Sequence, residues 1–182
     1  ALTNEVLRGG WWGGDSILQR GYLYNLNQAH AHRPIFPLHW EAARRYCEWA
    51  GKRLPTGAEW EFAGRFDPVS KKSLRLPWGA EFDPRVNGWT SLEECEGTDH
   101  LQDQADVGTA DGLRWADGRS PTGVYDLMSS VEEWVADTCS PDQSYCHDVR
   151  GLSRDCRGPS LAAILSAQGP RAGFRCATDL TR

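Results

Sequence analysis

The chemistry open to this chain starts with its cysteines, six of them in 182 residues, at positions 47, 95, 139, 146, 156 and 176. An even number without paired C-x-x-C spacing reads as disulfides rather than zinc, because structural zinc draws its thiolates from closely spaced pairs. Disulfides persist in oxidising compartments, so the expected location is extracytoplasmic: periplasmic, secreted or at the cell surface. A second set is acidic. Asp99, Asp103, Asp106, Asp111 and Asp117 are spread through residues 83–122, a polar, turn-rich stretch with no apolar period. A structureless loop of that length needs something to order it, and calcium does so by gathering carboxylates and backbone carbonyls from irregular chain. Two further sets carry less. His30, His32 and His39 could hold iron or copper, but Pro34 and Pro37 interrupt them and no carboxylate stands at a fixed spacing, so they read as surface histidines. His147, Ser153 and Asp155 lack a nucleophile elbow, and no hydrolytic triad is read from them.

The elements that would position these groups are clearest between Trp40 and Arg65. Ala43, Tyr46, Cys47 and Ala50 fall at i, i+3, i+4 and i+7, the apolar stripe of a short helix, and Gly51 stands where that helix should stop. Thr56, with Glu59 three residues later, spells a capping box that starts a second helix carrying Trp60 and Phe62. Elsewhere, nineteen glycines, ten prolines and nine tryptophans predict many turns pinned by large aromatic anchors. Trp11 and Trp12, flanked by glycines, read as one such anchor, with a ligand platform as the alternative.

Bulk properties exclude several classes. A net charge of -5 without any basic run argues against nucleic acid as a partner. No apolar run approaches the roughly 18 residues that a membrane-crossing helix needs. The length suits one domain over residues 1–182, and a start at Ala1 rather than methionine fits a processed chain. The run Leu161, Ile164 and Leu165 is unusually apolar for a loop, and it reads either as a partner-binding surface or as a short buried helix.

The stretch WEAARRYCEWAGKRLPTGAEWEFAGR closely resembles the signature of the formylglycine-generating enzyme, or sulfatase-modifying factor, family, with Gly57 as its visible departure. The resemblance continues in order through Pro77-Trp78-Gly79, Gly123 to Met128, Glu133-Trp134, Arg150-Gly151 and Gly173-Phe174-Arg175-Cys176-Ala177. It implies an α+β fold: an irregular, loop-rich, C-type-lectin-like domain with two short helices and small antiparallel sheets. Residues 1–37 are the divergent, shortened part. Because this fold hosts oxidases as well as binding and structural proteins, it implies no single activity.

The resemblance also implies sites. One expected calcium set is Asn87, the carbonyl of Gly88, Asp99 and the carbonyl of Leu101; the other is Asp126, the carbonyls of Ser129 and Val131, and Glu133. For Asp126 and Glu133 the alternative is turn capping or pairing with arginines. A disulfide from Cys47 to Cys176 is implied, which leaves Cys95, Cys139, Cys146 and Cys156 with three pairings open. Family oxidases hold copper(I) between two cysteines five residues apart; here Cys156 falls on the first position and Leu161 on the second. A soft ion held by thiolates needs both sulfurs. The expected function is therefore a non-catalytic module that binds or scaffolds another protein, such as a multi-subunit or membrane-associated assembly. The alternatives are a copper-dependent oxidase acting on a protein cysteine through Cys156, and a calcium-dependent receptor for a carbohydrate or small ligand.

Overall fold

A computed structural model describes residues 34–35, 38–79, 119–127, 131–138, 146–151 and 172–179. Helix α1, Trp40–Trp49, buries Ala43 and Cys47 completely, while Tyr46 stays 42 % exposed. The buried stripe is thus narrower than its periodicity suggests: Tyr46 meets Phe174 edge-on (centroids 5.4 Å apart) and the exposed Trp49 (5.6 Å) without being covered by either. The helix ends at the expected glycine. Gly51 takes φ +69°, its N–H bonds to Glu48 O (3.0 Å), and the N–H of Lys52 bonds to Cys47 O (2.8 Å). This paired pattern is a Schellman motif, and it needs a left-handed residue that glycine adopts without strain.

Helix α2, Gly57–Arg65, begins as its sequence dictates. Thr56 Oγ1 accepts the N–H of Glu59 (3.2 Å), and the Thr56 N–H donates to Glu59 Oε2 (2.8 Å). A third residue, far away in sequence, completes the cap: the N–H of Gly57 donates to Asp137 Oδ2 (2.6 Å). Trp60 is buried on the inner face, whereas Phe62 lies 58 % exposed and stacks on Phe66. A small antiparallel hairpin follows, β1 (Phe66–Asp67) with β2 (Lys72–Ser73). Asp67 closes its turn by accepting the N–H groups of Val69 (2.9 Å) and Ser70 (3.3 Å).

Strand β3, Glu133–Thr138, lies at the centre of a three-stranded sheet, between β4 (His147–Arg150) and β5 (Gly173–Phe174). The α+β class with two short helices and small sheets is as expected for the described residues. One pairing differs from the antiparallel expectation: β5 runs parallel to β3, with Glu133 opposite Gly173 and Trp134 opposite Phe174. A parallel neighbour requires a long connection, and β5 follows β3 in sequence only after residues 139–172, β4 among them. Its direction also carries Cys176 to α1 and sets Ala177 in a backbone bridge with Arg53.

Two apolar clusters hold these elements. Leu38, Ala43, Cys47, Leu54, Trp134, Val149 and Ala172 pack between α1 and the sheet. Trp60, Leu76, Leu127 and Val135 pack between α2, the sheet and the neighbouring turns. The tryptophans also fix register, because their indole N–H groups reach backbone carbonyls: Trp40 to Val135 O (2.8 Å) and Trp134 to Leu38 O (2.7 Å). Cys47 and Cys176 are joined by a disulfide, Cα to Cα 5.5 Å, across 129 residues of chain.

Two outcomes follow from this framework. Replacing both Cys47 and Cys176 with alanine should lower unfolding free energy by about 2 to 5 kcal/mol, read from urea titration, since the bridge restrains a very long loop. The α2 cap is acid-sensitive: hydrogen bonds from Arg53 and then Thr56 lower the Glu59 pKa from 4.5 to about 2. A pKa depressed by folding gives stability that is complete above 4.5 and lost as pH falls toward 2. Thr56→Ala should cost about 1 kcal/mol at neutral pH, and Glu59→Gln should flatten the acid limb of a thermal-melt series between those pH values.

Candidate functional site

Both functional motifs that the described residues contain, Tyr125-Asp126 and Glu133-Trp134, converge on the C-terminal Arg175. Glu133 opens β3 with its side chain turned inward, and only 6 % of the residue is exposed. An isolated carboxylate in such a place would be very costly, so each oxygen must be compensated. Trp60 on α2 donates its indole N–H to Oε2 (2.8 Å). Arg175 supplies a two-pronged guanidinium, Nε to Oε2 and Nη2 to Oε1, each at 2.5 Å. Both Nη groups of Arg175 also donate to Tyr125 O at 3.2 Å. Burial works against the Arg175 charge, but Glu133, and beyond it Asp126, outweigh that and push its pKa up. The guanidinium thus stays charged at every accessible pH.

This geometry bears on the second expected calcium set. Asp126 lies at the turn, with φ +61°, and its carboxylate acts on Arg175. Glu133, placed in that set as a ligand, has its negative charge balanced by Arg175 and three of its acceptor positions filled by N–H donors. As arranged, Glu133 offers a calcium ion no open bidentate edge. Of the other members, Val131 is described and Ser129 is not. The first calcium set, Asn87, Gly88, Asp99 and Leu101, lies outside the described residues, as do Cys156, Leu161, Ile164, Leu165 and the aspartates of residues 83–118.

A second polar cluster lies where α2 meets β4. At Gly57, the departure from the family signature, a Cβ would come within 2.6 Å of Arg150 Nη2, so a side chain there requires this guanidinium to shift. Arg150, largely buried, donates to Val149 O (3.1 Å), with Glu61 3.6 Å and Asp148 3.5 Å away. On the same strand His147 stacks face to face on Trp40, centroids 3.5 Å apart, and burial pushes its pKa below 6.5. This stacking is the role His147 takes; Ser153 and Asp155 lie outside the described residues. A cleft of about 590 Å³ opens elsewhere, lined by Asp67 and Leu74, by Pro77 and Trp78, and by the turn at residues 119–123.

Among the described residues no cysteine is free. Besides Cys47 and Cys176, Cys146 is disulfide-bonded, and its partner lies outside the described residues. Sequence reasoning assigned no role to Arg175 or to Arg150. The available signal for the first was an arginine inside an apolar C-terminal strand motif, and for the second a glycine replacing a helix-forming residue at the start of α2.

With that geometry in hand, comparison with known proteins is direct. The family described as "Sulfatase-modifying factor enzyme 1-like domain" matches residues 15–180. Inactive C-alpha-formylglycine-generating enzyme 2 of Mus musculus is 34 % identical over 164 residues, which is 82 % of this chain and 50 % of that protein. Formylglycine-generating enzyme of Thermomonospora curvata is 31 % identical over 180 residues, 80 % of this chain and 55 % of that protein. Serine/threonine-protein kinase pkn1 of Chlamydia pneumoniae is 34 % identical over 126 residues, 17 % of its length. The chain spans about half the length of the formylglycine-generating relatives it matches. Matched over most of its length and carrying the motifs that build the α1, α2 and β3 framework, this chain belongs to the sulfatase-modifying factor family.

Proposed function

We propose that this chain is a non-catalytic formylglycine-generating-type module that binds or scaffolds another protein outside the cytoplasm. The observation that carries this reading is Leu161, which stands where the family's second copper-binding cysteine falls. A leucine offers no lone pair, and copper(I) without its second thiolate has no site in which to activate dioxygen. The likeness to a mouse protein named as inactive supports the reading. Two features support the location and the role. Cys47, Cys176 and Cys146 are all in disulfides, as suits an oxidising compartment. The apolar run through Leu161, Ile164 and Leu165 has the composition of a protein contact.

Calcium belongs to the same reading as a structural ion, held by Asn87, the carbonyl of Gly88, Asp99 and the carbonyl of Leu101, where it would order residues 83–122. A second reading, the copper-dependent oxidase, draws on the likeness to the Thermomonospora curvata protein named formylglycine-generating enzyme.

Two measurements separate these outcomes. The chain incubated with copper(I), dioxygen and a cysteine-containing peptide should leave the peptide thiol unchanged by mass spectrometry; accumulation of the aldehyde would establish the oxidase instead. Calcium at about a hundredfold above its Kd should raise unfolding free energy by about 2.7 kcal/mol, and Asp99→Asn should abolish that gain. Melting curves that ignore calcium would remove the ion from the account.

A further inference from the structure

The Glu133 carboxylate lies where a divalent cation was expected, and a cation is present there, covalently part of the chain. Around the Arg175 guanidinium are the two oxygens of Glu133 at 2.5 Å, Tyr125 O at 3.2 Å, and the carboxylate of Asp126 acting at longer range. Carboxylate and carbonyl oxygens drawn from a strand and an irregular turn are the donor set of a hard-cation site. Guanidinium satisfies such a set by a different geometry. It is planar, donates through fixed N–H directions and fits a carboxylate edge with two parallel bonds, which is the arrangement found at Glu133.

We propose that Arg175 is the resident cation of this junction, occupying in place of calcium the position defined by Tyr125, Asp126 and Glu133. The second expected metal set is then replaced by an internal ion pair, and the connection between β3 and the C-terminal strand holds in the absence of divalent ions. A calcium ion held by both Glu133 oxygens would have to displace the two guanidinium hydrogen bonds and compete with the one from the Trp60 indole. It would also face an arginine whose positive charge had lost its main partner. The claim is independent of whether Asn87 and Asp99 bind calcium.

Calorimetric titration of the whole chain with calcium chloride tests it. Glu133→Gln and Asp126→Asn should both bind calcium with the stoichiometry of the parent chain and a Kd within about twofold of it. Loss of one calcium equivalent, or weakening by more than about tenfold, in either variant overturns the proposal. Asp126 is half-buried at a turn, so its variant remains informative if Glu133→Gln fails to fold. Arg175→Met supplies the converse arm. Removing the internal cation should give a larger calcium-dependent rise in melting temperature than the parent shows, and Glu133→Gln in the same chain should cancel the increase. An unchanged rise would mean that the guanidinium does not stand in for a metal, and would also overturn the proposal. A parent chain that takes up no calcium at all would refute the Asn87 and Asp99 set while agreeing with this one.

Discussion

One buried carboxylate organises the described part of this chain. Glu133 receives Trp60 from α2 and Arg175 from beyond β5, so a single side chain ties together segments 73 and 42 residues away. A buried ion pair of this kind adds little net stability compared with a well-packed apolar substitute, but breaking it by removing one partner leaves a bare charge and costs about 3 to 5 kcal/mol. Its effect is therefore mainly on specificity. The apolar clusters on either side of the sheet favour compactness in many arrangements; the demand that Glu133 find both an indole and a guanidinium selects one of them.

That demand also bears on where β5 lies. For Arg175 to meet Glu133, the C-terminal segment must pass beside the first residues of β3, and it does so for two residues, Gly173 and Phe174. Gly173 lets the strand come close: a Cβ there would fall 2.8 Å from a Val131 methyl and 3.2 Å from Ile35 O. One residue past Arg175, Cys176 reaches the buried Cys47 of α1. Close approach, ion pair and disulfide thus fall within the four residues 173–176, and each restricts where the next can be.

What could be read from the sequence divides along the same line. The Thr56 and Glu59 cap and the stop at Gly51 were legible because both are local, set by hydrogen bonds within a few residues. The Cys47 to Cys176 bridge came from family resemblance; cysteine positions alone left the pairing open. Tyr46 falls on the apolar stripe of α1 yet stays on the surface, because periodicity gives a face but not how far that face is covered. The partners of Glu133 were beyond reach for a different reason. A carboxylate one residue before a tryptophan is equally good as a metal ligand or as half of an ion pair, and only the fold decides which cation arrives.

Gly57 shows how such decisions interlock. As a departure from the family signature it looks like a loss, since glycine is a poor helix former. Its missing side chain leaves room for the Arg150 guanidinium, and its N–H is free to bond Asp137 of β3. The first turn of α2 is thus held by Thr56 and Glu59 from its own segment, by Asp137 from β3, and by the packing of Arg150 from β4. Arg150 directly precedes Gly151, where the chain leaves the sheet toward Ser153 and Cys156. Among the described residues, the framework up to Gly151 is held by contacts that do not depend on which residue stands at position 161, and a scaffold set independently of its site can host different activities. The matched relatives include a protein named formylglycine-generating enzyme and one named inactive.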